Sequence, residues 1–348
     1  MAEEDDAASS CRSRLARLFN VPESNNIAFT SGATESLNLA ILGIGLKAGD
    51  HVVSTKIEHN STIRPLKHLE RDESLFVDFV ECDRYANVAP ENIAAAIKSN
   101  TKAIVVNHCS NVNGTILDLK SIAKIAHDNG LIFIVDASQS VGAIPIDFLG
   151  WDLDILAFTG HKSLFGLQGI GGVALKSGVV PKPLKVGGTG IKSEYLYQPE
   201  SIPMFYEAGT PNMPGIVSLN AGAGFVLSEG IEKIHSRKTA MVKHVIAELG
   251  DMPEITIYNS PENCSYSNFT FNVGKLAPEE VGYALESSYD MTVRTGLHCA
   301  PLLLQSIGAY PWGTVRMSPS YFTSDSEIEL FIDAIKEITR LFVRKNKI

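Results

Sequence analysis

The stretch Leu131-Ile-Phe-Ile-Val-Asp136-Ala-Ser-Gln139 decides the fold. Five consecutive apolar residues, mostly β-branched or aromatic, run straight into a carboxylate. Such a run predicts a strand buried on both faces, which is the signature of a parallel sheet covered by helices. Immediately upstream, Asp118 opens a helical pattern with Leu119, Ile122, Ala123 and Ala126 on one face. Gly130 closes it, so the segment has an N-cap, an apolar stripe and a C′ residue. Working outward, similar runs occur at Asn26–Thr30, His51–Thr55, Leu75–Val80, Ala103–Asn107, Ile155–Phe158 and Gly171–Leu175. Alternating strands and helices predict a mostly parallel α/β sheet with helices on both faces.

From about Pro214 the pattern changes. A long helical stretch to Leu249 precedes strands at Ile255–Tyr258 and Tyr266–Val273, and helices at Pro278–Ser287 and Ser324–Arg344. This predicts a large domain over residues 1–225 and a smaller α+β domain over 226–348, as expected for a chain of 348 residues. Val186–Met213 is rich in Gly, Pro and polar residues. It is too long for a simple connection, which marks it as functional.

The bulk composition is that of a globular protein, 45% hydrophobic and 20% charged, with net charge −9. No Lys/Arg cluster points to nucleic acid, no apolar run is long enough to span a membrane, and Met1–Ser10 does not resemble a signal peptide. Five scattered cysteines without a CxxC pair predict reduced thiols in a cytoplasmic protein, with neither a disulfide frame nor a metal site.

In open α/β sheets, ligands bind beyond the C-terminal ends of the strands. Ser31-Gly32-Ala33-Thr34-Glu35 follows the first strand and opens a helix. It reads either as a phosphate-binding turn or as an ordinary helix start. Asp136 is costly to bury unless paired, and suits a protonated pyridine nitrogen, a helix cap or a buried salt bridge. Gln139 reaches back toward it. Thr159-Gly160-His161-Lys162-Ser163 places a lysine beside phosphate donors, at a site expected to be roofed by apolar residues. His59, in Glu58-His59-Asn60, is either a ring-stacking imidazole or a loop histidine. Arg294-Thr-Gly-Leu-His298-Cys299-Ala puts a thiol in a Gly-containing loop with basic neighbours. Arg316 is placed to grip a carboxylate.

Asp136-Ala-Ser-Gln139 with Thr-Gly-His161-Lys162 resembles the signature of class V aminotransferase-fold pyridoxal phosphate enzymes. Glu58-His59, Ser110-Asn111-Val112, Glu207-Ala-Gly209-Thr210-Pro-Asn and the Cys299 loop narrow the resemblance to cysteine desulfurases. The matching branch carries Arg-x-Gly-x-His-Cys and also includes selenocysteine lyases. The resemblance covers the chain from about residue 11 onward.

It implies a fold-type I enzyme with pyridoxal 5′-phosphate held by Lys162 as a Schiff base. Asp136 pairs with the ring nitrogen, Gln139 with the ring hydroxyl, and His59 stacks. Ala33, Thr34, Thr159 and His161 hold the phosphate. Gly209 and Thr210 reach the partner's phosphate in a homodimer with shared sites. Asn111 lies beside both cofactor and substrate, Arg294 and Arg316 serve the substrate, L-cysteine, and Cys299 takes its sulfur as a persulfide for a small thiol or acceptor protein. A lyase or transaminase of the same fold, or a non-catalytic cofactor-binding relative, are the other readings. The family has a further N-terminal segment of several dozen residues before the equivalent of Ser13–Asn20, so the substrate pocket and dimer edge are expected to be less complete than the cofactor site.

Overall fold

The computed structural model describes residues 2–191, 193–260, 264 and 267–345. The chain divides into two compact units. One comprises Met1–Val80, Ala89–His108 and Asp118–Glu232; the other comprises Glu81–Val88, Cys109–Leu117 and Lys233–Ile348.

The first unit runs α1 (Ala2–Phe19), β1 (Ile27–Thr30), α2 (Ala33–Gly43), β2 (His51–Thr55), α3 (Asn60–Asp72), β3 (Phe76–Val80), α4 (Pro90–Ala95), β4 (Thr101–Asn107), α5 (Leu119–Asp128), β5 (Ile132–Asp136), β6 (Ile155–Thr159), β7 (Gly171–Leu175) and α6 (Met213–Glu229). Its seven-stranded sheet has the order β1-β7-β6-β5-β4-β2-β3. The run from β6 to β3 is parallel, and β7 is antiparallel to both β6 and β1. The α/β expectation therefore holds as a mixed sheet. Strands β2, β6 and β7 are buried along their whole length. The capping expectation for α5 also holds: Asp118 accepts from the Ser121 N–H at 3.1 Å, and Gly130 has φ +67°.

Helix α1 was not foreseen, because acidic Met1–Ser10 gave no apolar signal. Its C-terminal half supplies one, burying Cys11, Leu15, Leu18 and Phe19. Arg12 of α1 also closes the free edge of β1. Its Nε donates to the Ile27 carbonyl at 3.1 Å, and its Nη2 pairs with Glu207. Glu207 Oε1 accepts the Phe29 N–H at 2.6 Å. The edge of β1 is thereby satisfied by side chains instead of another strand.

The expected long helix to Leu249 is two helices, α6 and α7 (Ile231–Leu249), because Gly230 takes φ +87° and breaks the hydrogen-bond ladder. A cut between residues 225 and 226 falls inside α6.

The second unit continues with β8 (Ile255–Ile257), β9 (Phe269–Val273), α8 (Pro278–Tyr289), β10 (Arg294–Gly296), α9 (Pro301–Ser306), β11 (Thr314–Met317) and α10 (Asp325–Lys345). Strand β9 is shorter than its sequence pattern, whose first residue, Tyr266, lies outside the described residues. The antiparallel order is β10-β11-β9-β8. Val242, Val245 and Leu249 of α7, Phe269 and Phe271 of β9, and Phe331 and Ile335 of α10 share one core. Residues 109–117 join this unit through specific bonds. Thr115 bridges Cys264, Asn259 Nδ2 donates to the Asn113 carbonyl at 3.0 Å, and the Thr270 hydroxyl donates to the Val112 carbonyl.

Candidate active site

In the first unit, β1, β2, β4, β5 and β6 end at one edge of the sheet, where the expected cofactor residues gather. Thr30 and Thr159 both pair across Gly171, the first residue of β7. A Cβ on Gly171 would lie 2.5 Å from the Phe158 carbonyl oxygen and 2.7 Å from Gly32 Cα. Only glycine there lets the turn after β1 and the turn after β6 approach each other. Gly32, at φ +150°, faces Thr159 Oγ1 and leads into α2. Ala33 and Thr34 supply its first-turn N–H groups, which have no helical acceptor of their own. Buried Thr159 has its hydroxyl 2.9 Å from His161 Nδ1. His161 is exposed, and partial burial together with the Lys162 charge lowers its pKa.

Lys162 is exposed, so the apolar roof expected over it is not borne out among the described residues. The backbone beneath it is fixed. Gly160 N–H donates to Ile170 O, Phe165 N–H to Lys162 O and Gly166 N–H to Gly160 O, at 2.9, 3.1 and 2.9 Å.

Asp136 closes β5 between Asn107 of β4 and Ala157 of β6. It is 5% exposed. Oδ1 accepts from the Ser138 N–H at 2.9 Å and the Ser138 hydroxyl at 2.5 Å; Oδ2 has no hydrogen-bond partner among the described residues. Gln139 is half-buried in the turn that follows.

His59 caps α3. Its Nδ1 accepts the Ser61 N–H at 3.0 Å, which puts the neutral ring's proton on Nε2. The Ser61 hydroxyl lies 3.0 Å from that Nδ1 and 2.8 Å from Thr34 Oγ1. A continuous polar chain thus ties His59 to the α2 turn. Behind it, Glu58 is fully buried. Its Oε1 accepts from the Thr55 hydroxyl at 2.6 Å and the Asn107 N–H at 3.1 Å, while Oε2 has no partner among the described residues. Burial, reinforced by the Asp136 charge, pushes the Glu58 carboxyl up to about 8. Glu58 is therefore uncharged at neutral pH, a role that sequence reading missed.

Gly209 and Thr210 are exposed. Gly209 has φ +98° and donates its N–H to Gly188 O at 2.7 Å. The loop borders a cavity of about 170 Å³ with Ser31, Lys185 and Glu207.

In the second unit, Arg294 and Arg316 are direct cross-strand neighbours on β10 and β11. Like charges in that arrangement repel. Burial and the Arg294 charge lower the Arg316 pKa, while Cys299 opposes the shift. Arg316 Nη1 donates to the Asn111 carbonyl at 2.6 Å, and its buried Nε has no partner among the described residues. Asn111 Nδ2 donates to the His298 carbonyl at 2.7 Å. Cys299 is exposed beside buried His298. The structure thus brings Asn111, Arg294, Arg316 and Cys299 together in one unit, and Ala33, Thr34, His59, Asp136, Thr159, His161 and Lys162 along the sheet edge of the other.

The Aminotransferase class-V family model matches residues 1–331. A probable cysteine desulfurase of Methanothermobacter thermautotrophicus is 33% identical over 332 residues, covering 94% of this chain and 82% of the relative. A probable cysteine desulfurase of Pyrococcus abyssi is 34% identical over 325 residues, covering 91% of this chain and 80% of the relative. The apo structure of a cysteine desulfurase from Thermococcus onnurineus superposes with TM-score 0.91 at 31% identity, covering 97% of this chain and 85% of that one. A cysteine desulfurase structure from Escherichia coli has the same TM-score at 24% identity, covers 98% of this chain and 85% of that one, and speaks for the fold. The chain belongs to the cysteine desulfurase family of class V aminotransferases.

Proposed function

We propose that this protein is a cysteine desulfurase that takes sulfur from L-cysteine onto Cys299, with pyridoxal 5′-phosphate held at Lys162. Beyond family membership, the observation that carries this reading is the pairing of an exposed Cys299 with opposed Arg294 and Arg316. Arg316 keeps a buried N–H without a partner among the described residues. Two arginines forced together are a receptor for an anion, and a substrate carboxylate relieves the repulsion.

The residues of the first unit fit the cofactor. Asp136 offers an unpaired carboxylate oxygen suited to a protonated ring nitrogen, and Gln139 stands near for the ring hydroxyl. The α2 turn, Thr159 and His161 offer donors for a phosphate. His59 is oriented for stacking by the Ser61 cap. When bound, the cofactor supplies an electron sink for substrate Cα. Lys162 Nζ would hold it and carry the Cα proton. Glu58, uncharged, leaves the Asp136 carboxylate without a second anion beside it.

Cys299 then supplies the nucleophile. Its Sγ forms a bond to the substrate sulfur as the substrate C–S bond breaks; alanine leaves and a persulfide stays on Cys299. A small thiol or an acceptor protein takes the terminal sulfur from this persulfide. The reading includes a homodimer, in which Gly209 and Thr210 serve the partner's phosphate. Tyr195, Leu196 and Tyr197, exposed by 62, 95 and 82%, support it as an apolar surface for a second copy to cover. A cytoplasmic location accords with five scattered cysteines that form no CxxC pair. Among the described residues no helix is long and apolar enough to cross a membrane.

The test is alanine and sulfide release from L-cysteine with a reductant, with L-selenocysteine in parallel. Cys299→Ala should keep the cofactor absorbance and lose cysteine turnover; Lys162→Ala should lose both. Undiminished cysteine turnover by Cys299→Ala would sink the persulfide mechanism.

A further inference from the structure

Cys299 sits on backbone that most side chains avoid. His298 and Cys299 have φ of +51° and +58°, and Gly296, two residues before His298, has +92°. For residues with a Cβ the left-handed region is sterically costly. Two in succession persist only where the surroundings over-determine them.

Three constraints do so here. First, Gly296 and Gly313 are pressed together: a Cβ on Gly313 would lie 2.3 Å from the Gly296 carbonyl carbon. The β10–β11 pair therefore closes at that point, and residues 297–299 leave the sheet. Second, the Ala300 N–H returns to the Leu297 carbonyl at 3.0 Å, and the His298 carbonyl accepts from Asn111 Nδ2 at 2.7 Å. Third, the His298 ring is 4% exposed, with Nε2 lying 2.8 Å from Thr314 Oγ1 and 3.1 Å from the Thr314 carbonyl oxygen. A carbonyl only accepts, so Nε2 carries the proton. Burial, with the Arg316 and Arg294 charges, pushes the ring pKa down to about 4 and keeps it neutral. Nδ1 is buried and unpaired. The ring is thus fixed on one side, and its second nitrogen makes no hydrogen bond among the described residues.

We propose that His298 is the positioning residue of the sulfur-accepting loop: its side chain, anchored on Thr314, locks the left-handed turn that presents the Cys299 thiol. The role is to hold the turn, and the imidazole transfers no proton. The inference rests on Cys299 being the sulfur acceptor.

The experiment uses full-length, cofactor-loaded His298→Leu, His298→Asn, Thr314→Val and Thr314→Ser. It reads kcat and KM for L-cysteine, cofactor absorbance, the thermal midpoint, and the alkylation rate of Cys299 by iodoacetamide, followed on its own peptide. His298→Leu and Thr314→Val should each lower kcat by about 10- to 100-fold, the scale of a misplaced reacting group. KM and cofactor absorbance should hold, and the alkylation rate should shift. His298→Asn retains an N–H for Thr314 and tolerates the left-handed backbone, so it should recover most of the loss, as should Thr314→Ser. The inference is overturned if His298→Asn is as impaired as His298→Leu while Thr314→Val behaves as wild type, because the imidazole itself is then required. It is equally overturned if His298→Leu leaves kcat and alkylation unchanged. Alkylation needs no turnover. If Cys299→Ala still consumes cysteine while alkylation follows the His298 and Thr314 series, the desulfurase reading fails and the loop inference stands.

Discussion

Glu58→Gln should change how stability depends on pH, because it removes a carboxyl that the fold keeps protonated. Burial and the nearby Asp136 charge raise the folded-state pKa to about 8, against about 4.3 for an unfolded glutamate. Between these values the folded protein holds one proton more than the unfolded chain, so wild-type stability falls as pH rises. The contribution is whole below about pH 4.3 and lost through about pH 8. At about 1.36 kcal/mol per pH unit, wild type should lose about 2.7 kcal/mol between about pH 5 and about pH 7 that the variant does not lose. Glutamine keeps an oxygen for Thr55 and Asn107, but puts an amide nitrogen where Oε2 has no partner among the described residues. That adds a pH-independent cost of about 1–3 kcal/mol. The variant should therefore be the weaker protein below about pH 4.3, where the wild-type contribution is whole, and overtake wild type by about pH 7. Urea unfolding of cofactor-free protein measures this directly. In a Trp312→Phe background, Trp151 reports the first unit alone. A stability difference that stays flat across this range would refute a buried, protonated Glu58.

Three further outcomes are expected. Glu207→Gln breaks the pair that joins Arg12 to the edge of β1 and should cost the first unit about 3–5 kcal/mol in urea unfolding. Gly171→Ala pushes the turns after β1 and β6 apart, and should weaken cofactor binding by at least about 10-fold in a titration of apoprotein. Leu196→Asp places a charge on the most exposed apolar side chain of the 195–197 run, and should shift a dimer toward monomer in sedimentation equilibrium.

The seven strands of the first sheet were legible because each is a short apolar run. Their order was not, since β7 inserts between β1 and β6 although it comes last among them. Nothing local in Gly171–Leu175 states its partners; Gly171 and Gly172 only hint at close backbone approach. Lys162, Asp136 and Cys299 stood out as reactive types at strand ends or in a Gly-containing loop. Glu58 and His298 were passed over because each precedes a residue with a more obvious chemical role, His59 and Cys299. Their signal is burial, which is tertiary. Strands β10 and β11 were missed since three or four residues carry too little periodicity. Residues 109–117 fell within the large domain expected over 1–225 because their partners, Asn259, Cys264 and Thr270, lie at least 146 residues further along the chain.

That last segment imposes an order on biosynthesis. A chain emerging from the ribosome folds its N-terminal parts first. The first unit has all its residues once Glu232 has emerged. Glu81–Val88 and Cys109–Leu117 must then wait, already translated, for the C-terminal third that completes their unit. Asn111 has no His298 carbonyl to hold until the end of synthesis is near. The lysine platform is thus finished before the reactive thiol has been made. A gene fragment cut at the midpoint would encode neither unit whole.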